Sequence, residues 1–232
     1  MSRSFRELRR RTFEANLELP RRGLVVYTFG NVSAVDRDQG VFAIKPSGVE
    51  YSALKPSDIV VVDLDGRVAE GKLRPSSDTK THAVLYRHFE KIGSVAHTHS
   101  TYATAWAQAM KSIPVLGTTH ADHLAADIPC TQVMSEKDIA GDYEEETGNQ
   151  IVDAFRSLSY EEVEMVLVAC HGPFTWGGTP EKAVYNSVIL EELAKMATLT
   201  FGINPRTPRL KKSLVDRHYL RKHGKDAYYG QE

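Results

Sequence analysis

Four short runs of strand-forming residues lie close together near the start of the chain, and they restrict the possible folds more than any other feature. The runs are residues 25–28, 32–35, 41–44 and 59–63. Turn-like Gly, Asp and Pro residues separate them, as in β-hairpins, and Asp65-Gly66 before residues 67–69 is the clearest turn signal. Because strands outnumber long crossover helices in the first half, we expect a sheet that is not purely parallel.

Helix-forming segments accompany these strands. Residues 4–19 have the apolar spacing of an amphipathic helix, which Pro20 and Gly23 are expected to end. The other predicted helices are residues 79–89, 102–110, 144–158, 180 to about 201, and 210–223. Further strands are predicted at residues 94–99, 166–170 and 174–176. No repeat, linker or shift in composition divides residues 1–232, so we predict one α/β domain.

Charge and composition argue against several kinds of partner. The formal net charge of the 232-residue chain is -1 at pH 7, so no global basic field would hold nucleic acid or an anionic membrane. No apolar stretch approaches the ~18 residues of a membrane span. The Arg-rich N-terminus has no apolar signal core, and only Cys130 and Cys170 are present. We therefore expect a cytoplasmic protein without a disulfide framework.

A His-x-His pair is the strongest chemical signal. His97 and His99 lie in a predicted strand, where alternation would point both imidazoles to one face, so that they could clamp a single cation. A catalytic metal needs at least a third ligand, for which His171, after another apolar run, and Asp78 are candidates. The pair alone is explained slightly better as two ordinary strand histidines, but a second strand-terminal histidine favours a metal site. Asp78 is equally an ordinary helix N-cap.

Four polar loops are rich in Gly, Ser or Thr. They are residues 28–33, 45–48, 75–78 and 117–122. Each loop alone is more often a simple turn, but backbone N–H groups of such turns and of helix N-termini also hold phosphate. Lys45 with Ser47-Gly48, and Ser76 with Ser77, could share this role. Because neither a Walker nor a Rossmann glycine motif is present, the phosphate would belong to a small substrate.

Together these segments resemble the class II aldolase/adducin family over nearly the whole chain. The matching segments are residues 30–36, 44–49, 75–79, 97–100, 117–122, 171–174, 218–224 and 227–231. The Thr-Thr-His-Ala-Asp loop and the Tyr-Tyr-Gly-Gln tail are similar to an epimerase branch of the family. The resemblance implies a single three-layer α/β domain, with a central mixed, mainly antiparallel sheet and helices on both faces.

The resemblance also implies the contents of the site. A zinc ion, with manganese or cobalt as alternatives, would be held by His97, His99 and His171, with Asp78 nearby as a ligand or an acid/base group. Phosphate contacts would come from Gly30, Asn31, Ser47, Gly48, Ser76 and Ser77, with Lys45 close by. The residues before His171 are Ala169-Cys170 where a more polar pair is expected, which would put a thiol near the metal.

The implied activity is epimerisation at C4 of a phosphorylated ketopentose, by breaking and remaking the C3–C4 bond. Asp122 and Tyr229 would exchange the protons, although from the residues alone a turn carboxylate and a packing aromatic explain them better. The resemblance implies a homotetramer with active sites at subunit interfaces. Residues 208–232 would reach a neighbouring subunit and bring His218 and Arg221 to the substrate.

Two alternatives stay open. The first is a sugar-phosphate aldolase on the same scaffold, although that branch carries Glu where this chain has Asp78. The second is an adducin-like assembly module without catalysis, which ranks far lower because all three histidines are present. The pathway that supplies the sugar, from arabinose or an ascorbate-derived sugar, also stays open.

Overall fold

A seven-stranded sheet forms the centre of a computed structural model that describes residues 5–225 and residue 227. Its strands are Asn31–Asp36 (β1), Val41–Ile44 (β2), Val60–Asp63 (β3), Val68–Glu70 (β4), Ser94–His97 (β5), Met165–Leu167 (β6) and Pro173–Gly177 (β7). Their order is β4-β3-β2-β1-β5-β7-β6, and every neighbouring pair is antiparallel. The predicted hairpins that join β1 to β2 and β3 to β4 are confirmed, and every strand pair of the sheet is antiparallel.

The turn between β3 and β4 is the one that the sequence marks most clearly. Gly66 takes a φ of +83°, which favours glycine, and its N–H donates to the carbonyl of Asp63. The strand predicted at residues 25–28 is wrong, because these residues form a turn in which Tyr27 has a φ of 53°. Val26 and Tyr27 are 59% and 80% exposed, so neither gains the half-buried surface on which strand preference depends.

Eight α-helices occur in the described part of the chain. They are Arg6–Arg21 (α1), Thr79–His88 (α2), Thr101–Gln108 (α3), Thr118–Ala121 (α4), Glu136–Ile139 (α5), Tyr143–Ala154 (α6), Pro180–Ile203 (α7) and Lys212–His223 (α8). The two four-residue helices, α4 and α5, were not predicted. Pro20 does not end α1, which continues to Arg21 because a missing N–H in the last turn removes only one bond. Gly23, with a φ of +69°, follows the last turn of α1 and stops the helix there, as predicted.

The helices cover both faces of the sheet, as expected for a three-layer domain. On one face α1 and α7 pack together over Val32 and Ala96, and Thr175 of β7 donates to a carbonyl of α7. On the other face α2, backed by α6, packs over Ser33, whose hydroxyl bonds to Tyr86 of α2 at 2.6 Å. No helix among the described residues combines the length and the apolar character needed to span a bilayer.

The strand register brings several segments with predicted site residues to one end of the sheet. Asn31, which begins β1, lies opposite His97, which ends β5. His97 in turn lies opposite Phe174 near the start of β7, and its ring stacks on Phe174 at 4.1 Å between centroids. The loops that precede β1, follow β5 and precede β7 therefore meet at this end.

Candidate active site

Three histidines come together at the end of the sheet. The strand β5 ends at His97, two residues earlier than predicted, so His99 lies on irregular backbone. Its ring still faces His97, with 3.1 Å between the two Nε2 atoms. The ring of His171, from the turn between β6 and β7, lies 4.8 Å from that of His97 and 5.2 Å from that of His99. One ligand atom from each histidine lies within 4.8 Å of the other two.

Unusual backbone carries His171 into this cluster. Cys170 has a φ of 63°, a conformation that non-glycine residues seldom adopt, and its N–H donates to the carbonyl of Ala107. A Cβ atom on Gly172 would lie 3.0 Å from the carbonyl of Thr98, so any larger residue would crowd the close approach of this turn to the His97–His99 segment. The Cys170 side chain is exposed and does not line the cavity described below.

The donor set fits a divalent transition metal. His97 Nδ1 lies 2.9 Å from the carbonyl of Pro173, and because a carbonyl only accepts, Nδ1 is the donor there and Nε2 is the ring nitrogen that faces His99. Burial, with the neighbouring His97, lowers the pKa of His99 and brings that of His171 to about 4, so both rings are neutral near pH 7. Neutral imidazoles at this spacing match the nitrogen ligands that zinc and related ions prefer.

Asp78 lies beside the histidines and does not act as a helix cap. It occupies the N-cap position of α2, but its carboxylate accepts no capping bond. Instead it accepts a bond from Asn31 Nδ2 at 2.6 Å. Burial alone would raise the pKa of Asp78, but His97, His82 and the Asn31 bond hold that pKa below its usual value. Asp78 is therefore an anchored carboxylate next to the cluster, outside the group of three close ligand atoms.

A cavity of about 360 Å³ opens beside the histidines. That volume is in the range of small-ligand sites. Asp78 and the three histidines line it, together with all of the residues that were predicted to contact phosphate. These are Gly30, Asn31, Lys45, Ser47, Gly48, Ser76 and Ser77. The structure thus brings together residues from five separate segments of the sequence.

Backbone contacts hold the loops of the cavity. The N–H of Ser76 donates to the carbonyl of Lys45 at 3.0 Å, which joins two of the polar loops. Gly30 has a φ of +76°, and a Cβ there would lie 2.8 Å from the carbonyl of His97. The buried hydroxyl of Tyr51 donates to the carbonyls of Phe29 and Gly30 at 3.0 and 2.9 Å. The loop before β1 therefore has one well-fixed conformation against the histidines.

Lys45 is a buried cation in the wall of this cavity. Its side chain is 2% exposed, and its Nζ lies 3.5 Å from the carbonyl of Thr28 and 4.7 Å from the centre of the Tyr51 ring. Burial lowers the pKa of Lys45 to about 8. A buried ammonium is costly unless a partner compensates it, and an anionic ligand would supply that compensation.

Sequence reasoning missed Tyr143 and Glu144, which also line the cavity. They belong to the first turn of α6, which packs closely on α2: a Cβ on Gly148 would lie 2.6 Å from Val84. The Tyr143 hydroxyl lies 3.5 Å from His171 Nδ1. Their place depends on the packing of two helices, for which the local sequence holds no signal.

Three other predicted residues form a separate cluster. Asp122, next to α4, accepts bonds from Arg221 Nη2 with both oxygens at 2.9 Å and from His218 Nδ1 at 2.9 Å. Burial would raise the pKa of Asp122, but Arg221, His218 and Lys222 lower it overall. None of these residues lines the three-histidine cavity. Tyr229 lies outside the described residues, so its prediction stays untested.

The fold and the histidine site define a class of protein. Residues 10–198 match the family model of the class II aldolase and adducin N-terminal domain, and the chain belongs to this family. It is 50% identical over 226 residues, or 97% of this chain and 99% of the relative, to a protein of Salmonella paratyphi B called L-ribulose-5-phosphate 4-epimerase UlaF. A protein of the same name from Salmonella choleraesuis is 51% identical over 226 residues, with the same coverage of both chains.

Solved structures share the fold at lower sequence identity. An L-fuculose 1-phosphate aldolase is 24% identical with a TM-score of 0.77, covering 93% of this chain and 95% of the other. The L-fuculose 1-phosphate aldolase of Glaciozyma antarctica is 17% identical with a TM-score of 0.76, covering 97% and 84%. The predicted family and fold class are therefore confirmed.

If the three histidines hold a cation, His97→Asn should lower metal content and turnover together. The substitution removes the Nε2 ligand at the centre of the cluster. Metal content per chain after dialysis, measured by inductively coupled plasma mass spectrometry, should fall well below that of wild type. His88→Asn is the matched control, because His88 is exposed and its ring bonds to the carbonyl of Val84 within its own helix. Unchanged metal occupancy in His97→Asn would reject the ligand assignment.

Proposed function

We propose that this protein is an L-ribulose-5-phosphate 4-epimerase, which interconverts L-ribulose 5-phosphate and D-xylulose 5-phosphate. One observation carries the proposal: the three-histidine cluster shares a cavity with the buried cation Lys45 and the polar loops. Cation ligands and anion-binding groups side by side suit a small phosphorylated sugar. The relatives at about 50% identity that bear this enzyme's name support the same substrate.

The substrate explains why such a site is needed. The proton on C4 of a 2-ketopentose is not acidic, because the C2 carbonyl acidifies C3. Cleavage of the C3–C4 bond by a retro-aldol step gives glycolaldehyde phosphate and the enediolate of dihydroxyacetone, and re-addition to the other face of the aldehyde inverts C4. A divalent cation, zinc or alternatively manganese or cobalt, would act when bound by His97, His99 and His171 as a Lewis acid that stabilises the developing negative charge.

The loops of the cavity would hold the phosphate end. Lys45 provides positive charge, and Ser47-Gly48 with Ser76-Ser77 provide backbone N–H and hydroxyl groups. Holding this end keeps the aldehyde fragment in the site, so that it recombines before it escapes. The buried Oδ1 of Asn31 has no hydrogen-bond partner among the described residues, and a substrate hydroxyl would supply one. Gly30, next to it, also lines the cavity.

Asp78 would act next to this centre. Its bond to Asn31 fixes the carboxylate, and its lowered pKa keeps it ionised at neutral pH. An ionised carboxylate beside the cation could accept a proton from a substrate hydroxyl or serve as an additional ligand. We assign it as the acid/base group nearest the cation.

Proton transfer at the C4 oxygen is proposed for Asp122 and Tyr229, one on each side. Within one chain the cluster of Asp122, His218 and Arg221 lies apart from the cavity, so the proposal requires a neighbouring subunit. We propose a homotetramer in which residues 208–232 of one chain reach the cavity of the next. Because His218 and Arg221 bond directly to Asp122, these groups would arrive together. We also propose a cytoplasmic location, in line with the free thiols of Cys130 and Cys170.

The second candidate is an aldolase of the L-fuculose-1-phosphate type, which the shared fold favours. Incubation with L-ribulose 5-phosphate separates the two. The epimerase should convert it to D-xylulose 5-phosphate until equilibrium, as followed by a coupled assay or by 13C NMR of C4. Net accumulation of dihydroxyacetone and glycolaldehyde phosphate would contradict the epimerase and support the aldolase.

The charge of Lys45 should shape the pH profile. Below its pKa of about 8 the ammonium is protonated and attracts the phosphate dianion, and above it the charge is lost. Hence kcat/KM should fall as the pH rises through about 8. In Lys45→Arg the guanidinium stays charged, so this fall should disappear, while the exposed Lys55→Arg should behave as wild type. If kcat/KM of Lys45→Arg falls over the same pH range as that of wild type, the fall belongs to a group other than Lys45.

A further inference from the structure

Glu191 of α7 caps a helix that begins beside the metal-binding histidines. Its Oε1 accepts a bond from the N–H of Tyr102 and its Oε2 one from the N–H of Ala103, both at 2.9 Å. These are the second and third residues of α3, whose first N–H groups have no partner within the helix. Ser100, at the N-cap position, makes no side-chain cap bond. A carboxylate from a helix far away in sequence therefore does the work of the local cap.

The position of His99 depends on this helix start. His99 lies on irregular backbone, two residues after the end of β5 and two residues before α3. The ring of His97 is fixed by its bond to Pro173, whereas the hydrogen bond of the His99 ring is to His97 itself. Strand pairing fixes the backbone before His99, and the anchored first turn of α3 fixes the backbone after it. Loosening that turn would let His99 move away from the other two rings.

Charge points to the same role. The N-terminus of a helix carries roughly half a positive charge, which opposes a cation nearby. Glu191 places a negative charge against two N–H groups of that terminus that have no partner within the helix. The carboxylate thus offsets a repulsion that would otherwise weaken cation binding at His99.

We propose that Glu191 is a positioning residue for the metal centre, acting on His99 through the N-terminus of α3. The inference rests on the proposed three-histidine metal site. It goes further by assigning a role to a residue that touches neither the cavity nor the histidines. A residue that orients a ligand from outside the coordination shell changes metal affinity, whereas an ordinary helix cap changes only stability.

The other end of α3 offers a matched control. Trp106 Nε1 donates to the carbonyl of Ala194 and to the Thr198 hydroxyl, so it also ties α3 to α7. Trp106→Phe removes these bonds seven positions after His99, without touching the helix start. The exposed Glu192, adjacent to Glu191 on α7, controls for the loss of one negative charge.

The test measures zinc affinity and stability separately. Apoprotein of wild type, Glu191→Gln, Glu191→Ala, Trp106→Phe and Glu192→Ala is titrated with zinc in competition with a chromophoric chelator. The urea midpoint of each apoprotein is measured in parallel. Glu191→Ala should weaken zinc binding about 10- to 100-fold, the usual effect of losing an outer-shell partner. Glu191→Gln should lie between it and wild type, because the amide keeps one acceptor oxygen but no charge.

The outcomes are distinct. Trp106→Phe should lower the urea midpoint while its folded apoprotein binds zinc as wild type does, and Glu192→Ala should change neither. Wild-type zinc affinity in Glu191→Ala, with a midpoint lowered as in Trp106→Phe, would overturn the proposal and leave a structural cap only. If Glu191→Ala does not fold, then a wild-type zinc affinity in Glu191→Gln would overturn the proposal. Wild-type apoprotein that binds no divalent cation would instead overturn the metal site itself, and this proposal with it.

Discussion

The antiparallel register of β1, β5 and β7 is the constraint on which the site depends. It sets Asn31, His97 and Phe174 side by side at one end of the sheet. The bond between His97 Nδ1 and the carbonyl of Pro173 then fixes the imidazole of His97, and the turn after β6 places the imidazole of His171 beside it. A shift of one residue in this register would turn His97 to the opposite face of the sheet, so the pairing itself specifies the site.

Local patterns predicted much of this structure because they describe local physics. The hairpins β1–β2 and β3–β4 and the long helix from Pro180 follow from turn residues and capping, and they are confirmed. Alternation along a strand predicts that the rings of His97 and His99 lie together, but this reason applies only as far as His97. Strand alternation cannot orient His99, which lies past the end of β5, and the backbone around it does so instead.

Features that depend on distant partners could not be predicted from the residues alone. Asp78 has the sequence context of an N-cap, yet its carboxylate accepts a bond from Asn31, which lies 47 positions earlier in the sequence. Tyr143 enters the cavity only because α6 packs on α2. Residues 25–28 have strand-forming side chains, but Val26 and Tyr27 are exposed to solvent and the segment turns without pairing with a strand. The family resemblance supplied the phosphate loops, whose convergence no spacing could establish.

Two clusters of opposite character result. Around the cavity, burial lowers the pKa of His171 to about 4 and that of Lys45 to about 8, so the charged form of both side chains is disfavoured there. Around Asp122, the cations of α8 compensate the carboxylate within the chain. In the cavity, a bound ligand would have to supply the negative charge that compensates Lys45. In the second cluster, cations of the same chain already compensate the carboxylate of Asp122. This contrast is the physical reason to place substrate and cation in the histidine cavity.

The most direct test of the central claim is anomalous diffraction at the zinc edge from crystals of the zinc-loaded protein. We predict one strong peak whose nearest protein atoms are nitrogens of His97, His99 and His171, each about 2.0–2.1 Å away. A peak bound by His97 and His99 with His171 beyond bonding distance, or a peak elsewhere on the chain, would contradict it.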